Sequence, residues 1–247
     1  MKPLSQMVEI NRRFARSTRL DVDLQGTPPL VGYVMQASVT KALKTLAESQ
    51  IESQQGAFTW TGPYGGGKSS AALLVANLVA GRSENRALAR DIAGPDLTAR
   101  FAKAFPEANG PWTIVAVTGS RMGLRQTIAD AAATALRWGK AAYSQAVSSD
   151  VALIEALMAA ANAKRSGIFL ILDELGKLLE HEASAGSDIH LLQDLAEQSA
   201  RSKGKLVVTG ILHQAFDQYV ARASRDARQE WAKVQGRYQD IPFLAGA

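Results

Sequence analysis

The chain of 247 residues contains no cysteine, so disulfides are excluded, and three scattered histidines (His181, His190 and His213) do not build a usual zinc site. It has no long hydrophobic run: nothing approaches the ~20 apolar residues that span a bilayer. The amino-terminal stretch MKPLSQMVEINRRFARS lacks the apolar core of a signal peptide. Internal repeats and low-complexity tracts are also missing. These absences predict a soluble, cytoplasmic protein with no membrane partner.

What is present is ordinary for a globular chain: 47% apolar and 21% charged residues, at a length that suits one large core. The net charge of +5 is unevenly placed. Between Arg201 and Arg237 there are eight Lys/Arg against three Asp/Glu, which accounts for the whole excess. A solvated helix face and a surface for nucleic acid or an acidic partner protein both fit, and charge alone does not separate them.

Short β-type runs alternate with longer helical ones, which predicts an α/β protein with a parallel sheet covered on both faces. The expected strands are 57–61, 112–118, 168–172, 205–212 and 239–244. The middle three are nearly continuous apolar runs, as strands buried on both faces require. Helices are expected at 68–80, 125–138, 150–163 and 188–202. The first is apolar almost all round, hence deeply buried. In the last, Ile189, Leu192, Leu195, Ala196 and Ser199 mark one face, and Gly204 follows as a stop. Segments 82–110 and 182–187 read as excursions from the core, the first with small helices around Arg90 and Ala104, the second a mobile loop.

Gly62-Pro63-Tyr64-Gly65-Gly66-Gly67-Lys68-Ser69 matches G-x-x-x-x-G-K-[ST] at every fixed position, and Ser70 follows. A β-type run precedes it and an apolar helix follows, which is the context the motif needs. Its glycines let successive N–H groups converge on one anion, and the helix N-terminus adds its positive end. Lys68 is expected on the β- and γ-phosphates of ATP and Ser69 on Mg²⁺. The competing reading, a glycine-rich turn with an exposed lysine, leaves that context unexplained.

The run Gly167-Ile168-Phe169-Leu170-Ile171-Leu172-Asp173-Glu174 ends a central strand on two carboxylates. Ligands of open α/β sheets bind at that edge. Asp173 is expected to hold Mg²⁺, which takes few carboxylates and keeps several waters, and Glu174 to act as general base on water. The alternative is an acidic first turn of the next helix, favoured by its dipole.

On these motifs the chain resembles the additional-strand ATPases, particularly the AAA+ and STAND groups, from about Val31 onward. The resemblance implies a three-layer αβα fold with five strands in the order 5-1-4-3-2. It divides the chain into an N-terminal arm and linker helix (1–50) and a P-loop core (51–247). It also implies a polar sensor at the tip of the fourth strand, for which His213 and Gln214 are candidates, or Thr209 if the strand stops early. Arg237 is placed as an arginine acting across a subunit boundary, hence self-association, or alternatively as a helix-end ion-pair residue. Arg222, Arg225 and Arg228 are weaker candidates. Val31-Gly32-Tyr33-Val34 resembles the adenine-side linker, though a core-packing tyrosine fits there equally. AAA+ proteins continue into a helical lid, whereas this sequence stops at Ala247: the expectation is a core without that lid here, either as a fragment of a longer ATPase or with the lid absent or supplied by another chain. Asp173-Glu174-Leu175-Gly176-Lys177 and the stretch 231–237 resemble large bacterial ATPases of antiviral-defence loci.

Other P-loop classes fit less well. No LSGGQ-like segment precedes Asp173, no carboxylate follows the second strand at Thr118-Gly119-Ser120-Arg121, and no N-K-x-D guanine reader occurs. The expected activity is Mg²⁺-dependent ATP hydrolysis coupled to conformational change or assembly; the alternative is an ATP-gated switch with negligible hydrolysis. Replacing Lys68 by Ala should abolish nucleotide binding and leave the fold intact. Calorimetry with Mg²⁺ present checks this: equal ATP affinity in variant and wild type would overturn it.

Overall fold

The computed structural model describes residues 18–24, 30–107, 110–163, 166–187, 189–220 and 225–243, without the side chains of Val220 and 225–227. Residues 1–17 of the expected arm, Arg222, the Arg225 side chain, and the expected element ends Asp188 and Leu244 lie outside that description. Among the described residues no helix is long and apolar enough to cross a membrane.

Five strands form one sheet: β1 (Ala57–Thr61), β2 (Thr113–Thr118), β3 (Ile168–Asp173), β4 (Leu206–Leu212) and β5 (Gln239–Pro242). Their order is β2-β3-β4-β1-β5 with every neighbour parallel, which is the expected 5-1-4-3-2 read from the other edge. Side chains alternate between faces, so each strand feeds two cores. Ile168, Leu170 and Leu172 of β3 face one core, and Phe169 and Ile171 the other. That is why β3 and β4 read as nearly continuous apolar runs and are buried along their whole lengths.

The first core lies under α5 (Leu124–Leu136), α7 (Asp150–Asn162), α8 (Leu175–Ala185), α9 (His190–Arg201) and part of α10 (Arg225–Gln235). The second lies under α1 (Leu20–Asp23), α2 (Ala37–Ser53), α3 (Lys68–Ala80) and α4 (Ser83–Ala104). In α3 every residue from Ala71 to Val79 is buried, as its all-round apolar composition requires. A short helix not anticipated from the sequence, α6 (Lys140–Ala146), buries only Ala146, too little for a visible periodicity.

Of the two expected excursions, the first packs on the core and the second touches it only at its start. Segment 82–110 holds α4, bent at Gly94 (φ 74°, ψ 169°) just before Pro95. The glycine takes a backbone conformation that other residues avoid, and the proline then starts a fresh helical run with no N–H to leave unpaired. Ala89, Ala93, Leu97, Phe101 and Ala104 keep one face buried across the bend.

Segment 182–187 is no mobile loop at its start: α8 continues through it to Ala185. The apolar row Leu175, Leu178, Leu179 reaches Glu182 at helical spacing, so a carboxylate stands where an apolar residue would be expected. Glu182 is buried, and its Oε1 accepts the Leu124 N–H at 2.6 Å. It thus satisfies an orphan donor of the first turn of α5, where Gly123 offers no side-chain cap.

Glu182→Leu, which keeps volume but leaves that N–H unpaired, should lower the unfolding free energy by about 1–3 kcal/mol. Glu182→Gln, which keeps an acceptor, should lose less than half as much. Urea titration measures both; equal losses would show that the accepted bond is not what Glu182 contributes.

Candidate functional site

β1 ends at Thr61 and the chain turns at once through the glycine-rich loop. Gly65 (φ 76°) and Gly67 (φ 77°) adopt left-handed conformations, so a side chain at either position would strain the curl. Gly62 lies against the carbonyl of Phe243, whose N–H in turn bonds Thr61 O at 2.7 Å. The sheet edge β5 therefore braces the loop. Gly67 gives α3 no side-chain cap, which leaves the first-turn N–H groups of a 13-residue helix beside the loop.

Lys68 is 4% exposed, and its Nζ donates to Gly62 O at 2.6 Å and Pro63 O at 2.8 Å. Burial lowers its pKa, with Asp173 and Glu174 pulling the other way. The lysine is thus held by carbonyls of its own loop, two neutral acceptors that an anionic phosphate would outcompete.

The Ser69 hydroxyl donates to Asp173 Oδ1 at 3.1 Å, and the same oxygen accepts the Glu174 N–H at 3.0 Å. Burial pushes the Asp173 carboxyl up to about 6, and the neighbouring Glu174 adds to this. The two hydrogen bonds and Lys68 oppose it without cancelling it. Glu174 takes a left-handed conformation (φ 54°, ψ 35°), uncommon for a residue with a side chain and typical of functional sites. That turn lifts its carboxylate off the strand axis. Oε1 lies 3.2 Å from His213 Nε2, and Oε2 lies 3.2 Å from Lys177 Nζ. His213 in turn stacks on Tyr64 of the loop, with ring centroids 3.5 Å apart and planes 18° from parallel. Burial lowers the His213 pKa, the Glu174 carboxylate acting against it.

These groups share a cleft of about 280 Å³ lined by Tyr64, the loop from Gly65 to Ser70, Glu174, His213 and Thr18. Larger clefts exist: one of about 620 Å³ runs beside β2 and α5, and its lining is mostly apolar. It lacks a convergent set of charged groups, so chemistry rather than volume marks the smaller one.

The structure brings together most of the residues singled out from the sequence. Gly62 and Pro63 take part through their carbonyls. Gln214 is exposed and absent from the cleft lining, because β4 ends at Leu212 and the chain turns away after His213. Thr209 is buried within β4, three residues short of the tip. Arg237 is on the surface after α10, its Nε 3.1 Å from Glu197 Oε1 and its Nη1 donating to Lys233 O at 2.9 Å. It does not line the cleft of its own chain. Arg228 is exposed on α10. Much of the basic 201–237 stretch is paired locally: Arg201 with Glu197 at 3.7 Å, Lys233 with Glu230 at 2.6 Å. The Tyr33 hydroxyl is close to Gly67, 4.0 Å from where a Cβ there would sit.

Three contributors were not singled out. Thr18 Oγ1 lies 3.2 Å from Ser70 Oγ, a contact across 52 residues that no local pattern announces. Lys177 stands three residues after Glu174 on a helix start, a spacing that could have flagged it. Tyr219 reaches the back of the site from a turn.

As an oxygen pair, the Ser69 hydroxyl and the Asp173 carboxylate fit a magnesium ion, which takes one or two carboxylates and completes its shell with waters and phosphate oxygens. Among the described residues no cluster of three or more His, Asp or Glu forms a metal site of its own.

No protein-family profile matches the chain, and no curated protein does. Eighteen chains of solved structures match. One is the Aeropyrum pernix ORC2 protein, solved as ADPNP–ADP complexes, at 14% identity and a TM-score of 0.49. The match covers 92% of this chain and 52% of that one, so this chain spans about half the length of that protein.

The buried Asp173 has a signature that metal-free protein should display. Its folded pKa stands above the unfolded value of 3.8, so its contribution to stability is full below that pH and lost as pH rises through about 6. Asp173→Asn should therefore be more stable than wild type at pH 7.5 in chelator, by on the order of 2 kcal/mol. The gain should shrink toward zero as pH is lowered to 4. Urea midpoints across that range test it; a destabilised variant at pH 7.5 would overturn the assignment.

Proposed function

We propose that the cleft binds ATP with Mg²⁺ and hydrolyses it, within a P-loop core domain (51–247) that follows an N-terminal arm and linker helix (1–50), and that turnover drives a conformational change or assembly. The observation that carries this is convergence. Lys68, Ser69, Asp173 and Glu174 come from segments about a hundred residues apart, yet meet at the carboxyl edge of one parallel sheet beside a glycine-rich loop.

In this reading the phosphates rest on the loop N–H groups and the start of α3, and Lys68 exchanges its two carbonyl partners for the β- and γ-phosphate oxygens. Ser69 and Asp173 would hold the Mg²⁺, whose charge favours ionised Asp173 and offsets negative charge on the phosphates. Glu174 orients a water and accepts its proton as oxygen attacks the γ-phosphorus and the bond to the β-phosphate oxygen breaks. His213, against Glu174 and Tyr64, is the fourth-strand group placed to sense the γ-phosphate. Arg237 serves a second copy of the chain, supplying a guanidinium to the neighbour's γ-oxygens where charge builds up in the transition state.

One observation favours a second reading, an ATP-gated switch with slow turnover. Both Glu174 carboxylate oxygens are engaged, one by His213 and one by Lys177, and must be freed before the residue can act as a base.

Steady-state phosphate release by wild type and Glu174→Gln separates the readings. Hydrolysis predicts measurable wild-type turnover that falls by about 10²-fold or more in the variant, with ATP binding kept. Turnover per subunit should rise with protein concentration if Arg237 acts on a neighbour. Tight ATP binding without turnover, at any concentration, would establish the switch.

A further inference from the structure

The residues that flank Glu174 are themselves held from behind by one side chain. After β4 the chain makes a 3-10 turn, Phe216–Val220, before α10. Phe216 anchors that turn, buried with its ring 5.9 Å from Trp231 of α10 in an edge-on contact. Tyr219, on the same turn, points back toward the cleft. Its ring occupies the space that a side chain at Gly176 would need: a Cβ there would overlap the ring carbons and the hydroxyl oxygen. Gly176 is the second residue of α8, two positions after Glu174. The Tyr219 hydroxyl accepts the His213 N–H at 3.2 Å. This is the first donor beyond the end of β4, where the sheet no longer supplies partners.

We infer that Tyr219 is a positioning residue that clamps the tip of β4 to the first turn of α8 and so sets the placement of His213 against Glu174. The two tied segments carry the two residues that meet 3.2 Å apart over the cleft. Neither segment fixes the other directly. α8 and β4 are joined in the sequence only through α9 and the turns on either side of it, and Leu175 packed over Gly210 sets their depth but not the direction of the strand's exit. The hydroxyl decides that direction, because it turns the first backbone donor after the strand toward the α8 side. The consequence for turnover rests on the hydrolytic reading of Glu174; the clamp itself does not.

The test uses the full chain and Tyr219→Phe, which keeps the ring over Gly176 and removes the acceptor. Hydrogen exchange read by NMR, without nucleotide, should show the His213 amide exchanging about tenfold faster or more, with the His213 ring signals shifted. An unchanged amide and unchanged ring signals would overturn the clamp. For turnover, kcat should fall roughly tenfold, the effect of one lost hydrogen bond, while KM for ATP and the affinity for a fluorescent ATP analogue stay within about twofold. The melting temperature should move by no more than a few degrees. In a His213→Ala background, Tyr219→Phe should have no further effect on kcat. Parallel losses of kcat, affinity and melting temperature would show a merely structural tyrosine, as would an undiminished effect in the His213→Ala background. Wild-type protein with no turnover but faster amide exchange in the variant would refute the hydrolytic reading and leave the clamp standing.

Discussion

A carboxylate buried at the end of a fully buried strand is the constraint around which this cleft is built. Asp173 is 2% exposed, and ionising it there is costly enough to push its pKa up to about 6. Its Oδ1 has two donors, the Ser69 hydroxyl and the Glu174 N–H. The first bond ties β3 to the opening turn of α3. The second comes from the residue that leaves the strand in a left-handed conformation. The helix that follows the glycine loop and the acidic pair are therefore joined through one carboxylate oxygen. A dication at that point would replace costly burial with coordination.

The supporting structure follows from that requirement. Parallel strands bring their carboxyl ends to one edge, and β1 and β3 carry the glycine loop and the acidic pair to it. β4, which lies between them, delivers His213 to the same edge. Continuous apolar burial on both faces leaves no slack in the register, because a slip by one residue would exchange the two cores. Behind α8, the buried Glu182 takes the free N–H of Leu124, so the helix that begins at the acidic pair is locked to the start of α5. Polar groups buried with partners thus position the site from two sides, and each has one partner geometry to satisfy.

The strand positions, their parallel arrangement and the glycine loop were legible in the sequence because each rests on a local or periodic demand. Ile168–Leu172 reads as a doubly buried strand since every side chain in it must find apolar surroundings. The turn before Lys68 and Ser69 reads as a tight curl since its glycines allow a left-handed backbone, which Gly65 and Gly67 adopt. Expectations weakened where a polar residue broke the period. Glu182 opened the stretch expected as a mobile loop, yet α8 runs through it to Ala185, because its buried partner is a backbone amide 58 residues away. For Arg237 the sequence left two roles open, and within the chain the guanidinium is paired with Glu197, a residue of α9 that nothing nearby in sequence identifies.

By itself the sequence determined which segments are strands, that the sheet is parallel, and that a glycine-rich loop and an acid pair stand at strand ends. These follow from hydrophobic period and backbone stereochemistry, properties that act over a few residues. Only the tertiary structure decided that His213 rather than Gln214 or Thr209 faces the cleft, that Thr18 reaches it, and that Tyr219 stands behind it. Those outcomes depend on where β4 stops, how tightly α8 approaches through Gly176, and which donors are left over when the sheet ends. Each is a contact between distant segments, fixed by packing and hydrogen-bond completion that no local window contains.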